Sequence, residues 1–264
     1  MFTKEQLKAQ LREIGLNSTD TVLIHTSMKA VGEVENGADG LIDAFCEVLS
    51  DGLFLVPTHT WAIVNRANPV FDVRSTVPNI GALPRVAAFR RDGIRSLHVT
   101  HSLWAHGKDA EAFVRGEELA QTPCPVGFAW SRLADRKAKI LLIGVTHARN
   151  TFIHAVDEVA DIRNRISEDP FDAVIIDHEG REHRHPFYTH SRPATEPTSE
   201  FFTIFDKPLL ETGAQRMGRL GNAEVRIVDA ARCQEVLLRI YSKTSDFDSL
   251  LQYIDIPSSM YLED

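Results

Sequence analysis

One uncharged run, Ile140-Leu141-Leu142-Ile143-Gly144-Val145 after Lys139, constrains this fold more than any other stretch of the chain. A strand that is apolar at every position must be covered on both faces, which places it at the centre of a sheet layered by helices. Thr21 to His25 and Leu53 to Val56 are two further β-rich runs, the second ended by Pro57. Between them Asn36-Gly37 marks a turn, and Ala38 to Leu49 carries apolar residues at 41, 42, 45, 48 and 49, which is helical spacing. Strand, helix and strand on short connections imply parallel pairing. The expected class is therefore α/β in three layers. It has a largely parallel central sheet, helices on both faces and a smaller antiparallel extension in the C-terminal half, all within one domain over residues 1–264.

The remaining segments fit this frame. Thr3 with Gln6 forms a capping box for a helix that carries Leu7 and Leu11 and stops at Gly15. Thr58 to Ala82 has little periodicity and reads as a long ordered loop, a common place for function. Short helices are expected at 84–91, 109–115 and 128–134, around a polar stretch from Arg95 to Ser102. Asp172 to Tyr188 reads as a hairpin turning at Glu179-Gly180. Helix is expected at 201–210, strand at 224–228, helix at 230–241, and after Thr244 a last helix and a loose end.

Composition excludes several classes. The net charge of −8 argues against nucleic acid and anionic membrane as partners. No apolar run approaches the roughly 18 residues of a membrane span, and the start lacks the basic-then-apolar order of a secretory signal. Three widely spaced cysteines without a Cys-x-x-Cys fit a reducing cytoplasm. Oligomeric state is not legible, and monomer and homodimer stay open.

The chemistry concentrates in Asn150 to Arg163, just past the carboxyl end of the central strand, where open α/β sheets bind ligands. As a helix this segment stripes Phe152, Val156 and Val159 toward the core. Thr151, His154, Asp157 or Glu158, and Asp161 then share the opposite face. A histidine with a carboxylate one turn away is a base with an orienting partner. Spacing alone does not separate this from a solvated helix face.

Several segments together resemble the aminoglycoside N3-acetyltransferase family, which is distinct from the larger GNAT group. They are His25-Thr26-Ser27-Met28-Lys29-Ala30-Val31-Gly32, Val56-Pro57-Thr58, Ser75 to Pro84, Arg95 to Ser102, Leu141 to Val145 and Asn150-Thr151-Phe152-Ile153-His154. The resemblance implies direct transfer of acetyl from acetyl-CoA, as co-substrate and without a metal, to an amine. In the resistance enzymes this is the 3-amino group of a 2-deoxystreptamine ring. His154 would be the general base, with Asp157 in place of the family's usual Glu and Glu158 beside it as the competing candidate. Ser27, Met28, Lys29, Val31, Gly32, Thr76, Gly81 and Ser102 would lie along the CoA arm. Thr58, His98, His101, Thr151 and Asp161 would line the acceptor side, although hydrogen bonding that merely holds the loop explains His98 and His101 equally well. Donors from the Ser27 loop would stabilise the oxyanion. Departures at Val99, near Trp130-Ser131-Arg132 and at Gly52-Leu53 fall on loop and packing positions and bear on substrate choice.

Three rival readings remain. His178, His183, His185 and His190 suggest a metal, but His183 and His185 share one face of a predicted hairpin at spacing two, which is as easily a surface face. Ser27 or Ser102 as a hydrolase nucleophile lacks a Gly-x-Ser-x-Gly elbow. A non-catalytic CoA-binding protein would have no use for a poised base. For the acceptor, Asp157, Glu158 and Asp161, with Glu196 and Glu200, would also suit a polyamine or another amine that is not an aminoglycoside.

Overall fold

The computed structural model describes residues 1–163, 165–191, 198–244, 246 and 248–262. Its elements run α1 (Lys4–Glu13), β1 (Thr21–Thr26), α2 (Met28–Val31), α3 (Gly37–Val48), β2 (Leu53–Pro57), β3 (Val70–Asp72), α4 (Ala82–Ala87), β4 (Ile94–Arg95), β5 (Leu103–Gly107) and α5 (Ala110–Val114). They continue through α6 (Ala129–Asp135), β6 (Lys139–Ile143), α7 (Phe152–Val159), β7 (Phe171–Ile176), β8 (Glu182–Phe187), α8 (Asp206–Glu211), β9 (Gln215–Leu220), β10 (Ala223–Asp229) and α9 (Ala230–Tyr241). The main sheet has the order β4-β5-β2-β1-β6-β10-β9. Its centre, β2-β1-β6, is parallel, and β6 sits there as its uncharged run requires. The flanking pairs are antiparallel.

Alternation along the central strands separates two cores. Val22, Ile24, Phe54, Val56, Leu141 and Ile143 pack with Leu7 and Leu11 of α1, Phe45 of α3 and Leu83 of α4. Leu23, Leu55, Ile140 and Leu142 face the other way, against Phe113 of α5, Trp130 of α6, Phe152 and Val156 of α7, and Leu237 and Ile240 of α9. Helices therefore cover both faces. A three-stranded sheet, β3-β7-β8, carries its own cluster around Phe71, Ile175 and Phe187. The hairpin expected from 172 to 188 is β7 with β8, and β3 joins it in parallel from the segment read as a loop.

Besides β3 and the two-residue β4, two longer strands escape sequence reading. β5 pairs with β2 although Leu103-Trp104-Ala105-His106-Gly107 has no turn signal before it. β9 is an edge strand carrying two arginines and a glycine, the usual protection of an edge and a poor strand signature. The helix expected at 201–210 is a 3-10 segment, Thr198–Phe205, followed by α8. The tail holds two 3-10 turns rather than an α-helix, and it is anchored: Leu250, Ile256 and Tyr261 are buried, and Tyr261 donates to Glu211 at 2.5 Å.

Candidate active site

Parallel strands deliver their carboxyl ends to one edge of the sheet, and a cavity of about 490 Å³ opens there. Ile24, His25 and Thr26 reach it from β1, Val56 and Pro57 from β2, and Val145 from just past β6. Gly144, at φ +64°, turns the chain away, and a side chain there would place Cβ 2.2 Å from Ala30 Cβ, so α2 packs directly against the end of β6. Asn150, Thr151 and His154 close one wall, and Thr189 and His190 enter from beyond β8. Asn150 Oδ1 accepts from the Phe152 amide at 3.3 Å, a side-chain start for α7.

His154 Nδ1 lies 3.7 Å from Asp157 Oδ2, one turn along the helix. Asp157 is 1% exposed, and its carboxylate is fully engaged. Oδ2 accepts from Arg165 Nε at 2.9 Å and Nη2 at 2.5 Å, and Oδ1 accepts from the Tyr241 hydroxyl at 2.6 Å. Burial alone would raise this carboxyl, but Arg165 and His154 outweigh it and hold it below the ordinary value. Burial lowers His154 below the ordinary 6.5 despite Asp157, so the ring is neutral at pH 7. His190 stacks on it at 3.9 Å and Phe202 meets it edge-on at 4.7 Å. Glu158 faces elsewhere, accepting from Thr122 Oγ1 at 2.5 Å and from the Cys124 amide at 2.7 Å, and burial pushes it up to about 7.

Other expected residues divide between wall and scaffold. Thr151 and His101 line the cavity. His98 does not. Its Nδ1 accepts from the Thr100 and His101 amides at 3.2 and 3.0 Å while Nε2 bonds the Thr122 carbonyl at 3.1 Å, so it holds the loop. Thr58 and Ser102 share a 2.8 Å hydroxyl bond in a buried knot with Arg95, whose guanidinium also reaches the Thr76 carbonyl at 2.7 Å. Ser27 caps α2, its Oγ accepting from the Ala30 amide at 3.3 Å, and Val31 is buried beneath. Met28, Lys29, Gly32, Thr76 and Gly81 are likewise set back from the lining, while their neighbours Thr26, Ile80, Leu83 and Pro84 form it. Asp161 is a correction: α7 ends at Val159, and Asp161 sits exposed in a left-handed conformation, φ 50°, off the face expected to carry it.

The expected histidine cluster also disperses. His183 Nε2 meets Asp177 Oδ2 at 3.0 Å, and His178 Nε2 bonds the Arg95 carbonyl at 3.0 Å. Glu196 lies outside the described residues; Glu200 lines the cavity beside Arg149, 3.7 Å away.

Residues that sequence reasoning left without a role are prominent here. His59 packs on His101 at 4.5 Å and on Trp130 at 5.4 Å, and His101 meets His190 at 5.2 Å. His25 Nε2, His59 Nε2, His190 Nε2 and Thr26 Oγ1 are buried without hydrogen-bond partners, the state of groups that wait for a ligand or water. His25 stood at a strand's carboxyl end and could have been found by position. His190, Arg165 and Tyr241 come from distant segments and carry no local signal.

The arrangement is a partly enclosed cavity with a neutral imidazole backed by a buried carboxylate, suited to taking a proton from a bound acceptor. A family model of aminoglycoside 3-N-acetyltransferases matches residues 23–241. Aminoglycoside N(3)-acetyltransferase VII of Streptomyces paromomycinus is 26% identical over 253 residues, covering 86% of this chain and 87% of the relative. Among solved structures, AAC-IIIb in its binary complex with CoASH superposes with a TM-score of 0.80 at 22% identity, over 93% of this chain and 98% of that one. AAC-VIa bound to sisomicin superposes with a TM-score of 0.72 at 25% identity, over 88% and 94%.

Proposed function

The chain belongs to the aminoglycoside 3-N-acetyltransferase family, and from that premise we propose that it acetylates the 3-amino group of a 2-deoxystreptamine aminoglycoside, with acetyl-CoA as co-substrate and His154 as general base. The observation that carries this reading is the position of His154 on the cavity wall, neutral and one turn from a buried carboxylate. An ammonium has no lone pair to attack a thioester, so the acceptor must first lose a proton. His154 takes it, and Asp157 stabilises the imidazolium that results. The amine then attacks the acetyl carbonyl, the tetrahedral adduct collapses, and the CoA thiolate leaves with the proton returned. Products are the acetamide, free CoA and one proton, which the adduct nitrogen loses to solvent as it collapses, and no metal enters the balance.

The residues fit acetyl-CoA on one wall. Ile80, Leu83 and Pro84 supply apolar lining and the Thr26 hydroxyl, in the same lining, is buried and unpartnered, a combination that would suit a chain of methylenes and amides such as pantetheine. The acceptor side is more polar. Glu200, Asn150 and Thr151 line it, and sisomicin in a relative is a polyamine sugar of the kind that such groups would hold.

The test is release of free CoA, followed with a thiol reagent, against a panel of aminoglycosides and simple polyamines. Turnover with a 2-deoxystreptamine aminoglycoside is expected, and His154→Ala should reduce it by about a hundredfold or more while acetyl-CoA still raises the melting temperature. Full turnover in His154→Ala would remove this residue from the mechanism. Turnover with polyamines alone would move the acceptor outside the drugs.

A further inference from the structure

Three side chains from three separate segments converge beside His154 without serving it as a dyad. Cys124 comes from the turn before α6, Glu158 from α7 and His190 from beyond β8, and one donor atom of each lies within 4.8 Å of the other two. Cys124 is fully buried, and His190 Nε2 is buried with no partner. The Glu158 carboxylate is aimed by the Thr122 hydroxyl and the Cys124 amide, and each oxygen keeps a lone pair to give. An orphaned ring nitrogen carries an uncompensated desolvation penalty, which a cation would relieve.

We propose that Cys124, Glu158 and His190 form a binding site for a borderline-soft divalent cation of the zinc class, and that its occupancy inhibits acetyl transfer. Thiolate, imidazole and carboxylate together select zinc or cobalt over magnesium or calcium. Three protein ligands leave a fourth position for solvent. The ion displaces the thiol proton of Cys124 and, in molecules where Glu158 is protonated, the carboxyl proton as well, and a thiolate–carboxylate complex remains. The His190 ring stacks on His154 at 3.9 Å, so the bound charge opposes both formation of the imidazolium and approach of a cationic amine. A second convergence, Cys46 with Asp92 and His106, does not compete well. Its acid is exposed and already paired with Arg90 at 2.5 Å, and its histidine bonds the Asp92 carbonyl at 2.5 Å.

The binding half of this inference stands apart from the acetyltransferase reading, and the inhibition half rests on it. The experiment titrates the full chain with cobalt and follows the near-ultraviolet thiolate-to-cobalt band, then displaces it with zinc. One equivalent is expected, with zinc raising the melting temperature. Cys124→Ala should lose the band and the zinc sensitivity while keeping its metal-free turnover; Cys46→Ala should keep all three. Should Cys124→Ala fail to fold, His190→Asn serves instead and should weaken cobalt binding by at least about tenfold. Absence of the band, its survival in Cys124→Ala, or its loss in Cys46→Ala would overturn the site. Equal zinc inhibition of wild type and Cys124→Ala would overturn the inhibitory role. A normal cobalt spectrum in a protein that acetylates nothing would sustain the site and count against the enzyme reading.

Discussion

Five histidines, His25, His59, His98, His101 and His147, are between 0% and 7% exposed, and together they make an acid-sensitive core. Burial holds His25 at about 3, His98 and His147 at about 4, and His59 and His101 well below the ordinary 6.5. In the unfolded chain all five take up protons as the pH falls through about 6.5, while the folded chain does not. The unfolded state then binds more protons, so stability falls with pH below that point. At pH 5 each ring costs about 2 kcal/mol, and the five together about 10 kcal/mol. Two carboxyls work in the opposite sense. Burial pushes Glu117 and Glu158 up to about 7, so the folded state protonates them first, and each gains about 2 kcal/mol between pH 7 and pH 5. The net loss over that interval is about 6 kcal/mol, comparable to the whole stability of many domains. Equilibrium urea unfolding at pH 7, 6 and 5 and constant ionic strength, followed by circular dichroism, should show the midpoint collapsing, most steeply below pH 6. A midpoint that holds steady over this range would refute the argument, because it would mean that the rings are charged or solvated in the folded chain.

Asp157→Asn should break the buried 2.5 Å ion pair with Arg165, costing stability as well as activity. Glu158→Gln should keep turnover within a few-fold and lose only about 1 kcal/mol; melting curves and kcat for the pair separate these outcomes, and the reverse ranking would make Glu158 the orienting acid. Gly144→Ala, with its backbone at φ +64° and the new Cβ 2.2 Å from Ala30, should destabilise by about 2 kcal/mol or more through strain and displacement of α2. An unchanged urea midpoint in that variant would sink the proposed contact.

The legible parts of the fold are those in which local pattern and tertiary demand agree. β6 is central and uncharged after Lys139, α3 and α9 carry clean helical stripes, and the Thr3 capping box opens α1 as written. β3 was illegible because Val70–Asp72 becomes a strand only by pairing with β7, about a hundred residues away in sequence. The site divides in the same way. His154 and Asp157 lie on one helix and could be read by spacing. Arg165, Tyr241 and His190 meet them only through packing of α9 and the segments beyond α7 and β8, and no period in the sequence encodes that meeting. Asp161 failed for a local reason, since the helix stops two residues before it.

The proposed base stands between two opposing neighbours. To take a proton at Nε2, His154 must carry its hydrogen on Nδ1 and present it to an acceptor. Asp157 Oδ2, at 3.7 Å, is that acceptor, but it lies beyond hydrogen-bond reach. Arg165 Nη2, at 3.4 Å, can only donate and favours the opposite tautomer. The same guanidinium grips Asp157 at 2.5 Å, so the carboxylate stays ionised in a buried place without first charging the histidine. A glutamate at 157, the usual family residue by resemblance, would be one methylene longer and could close the gap itself. The aspartate stops short, and Arg165 fills what remains. The imidazole therefore rests neutral and weakly held. In the proposed mechanism the ring would first shift its hydrogen to Nδ1, and on taking a proton at Nε2 it would be repelled by Arg165 and attracted by Asp157, which would draw Nδ1–H toward Oδ2 as positive charge develops on the ring.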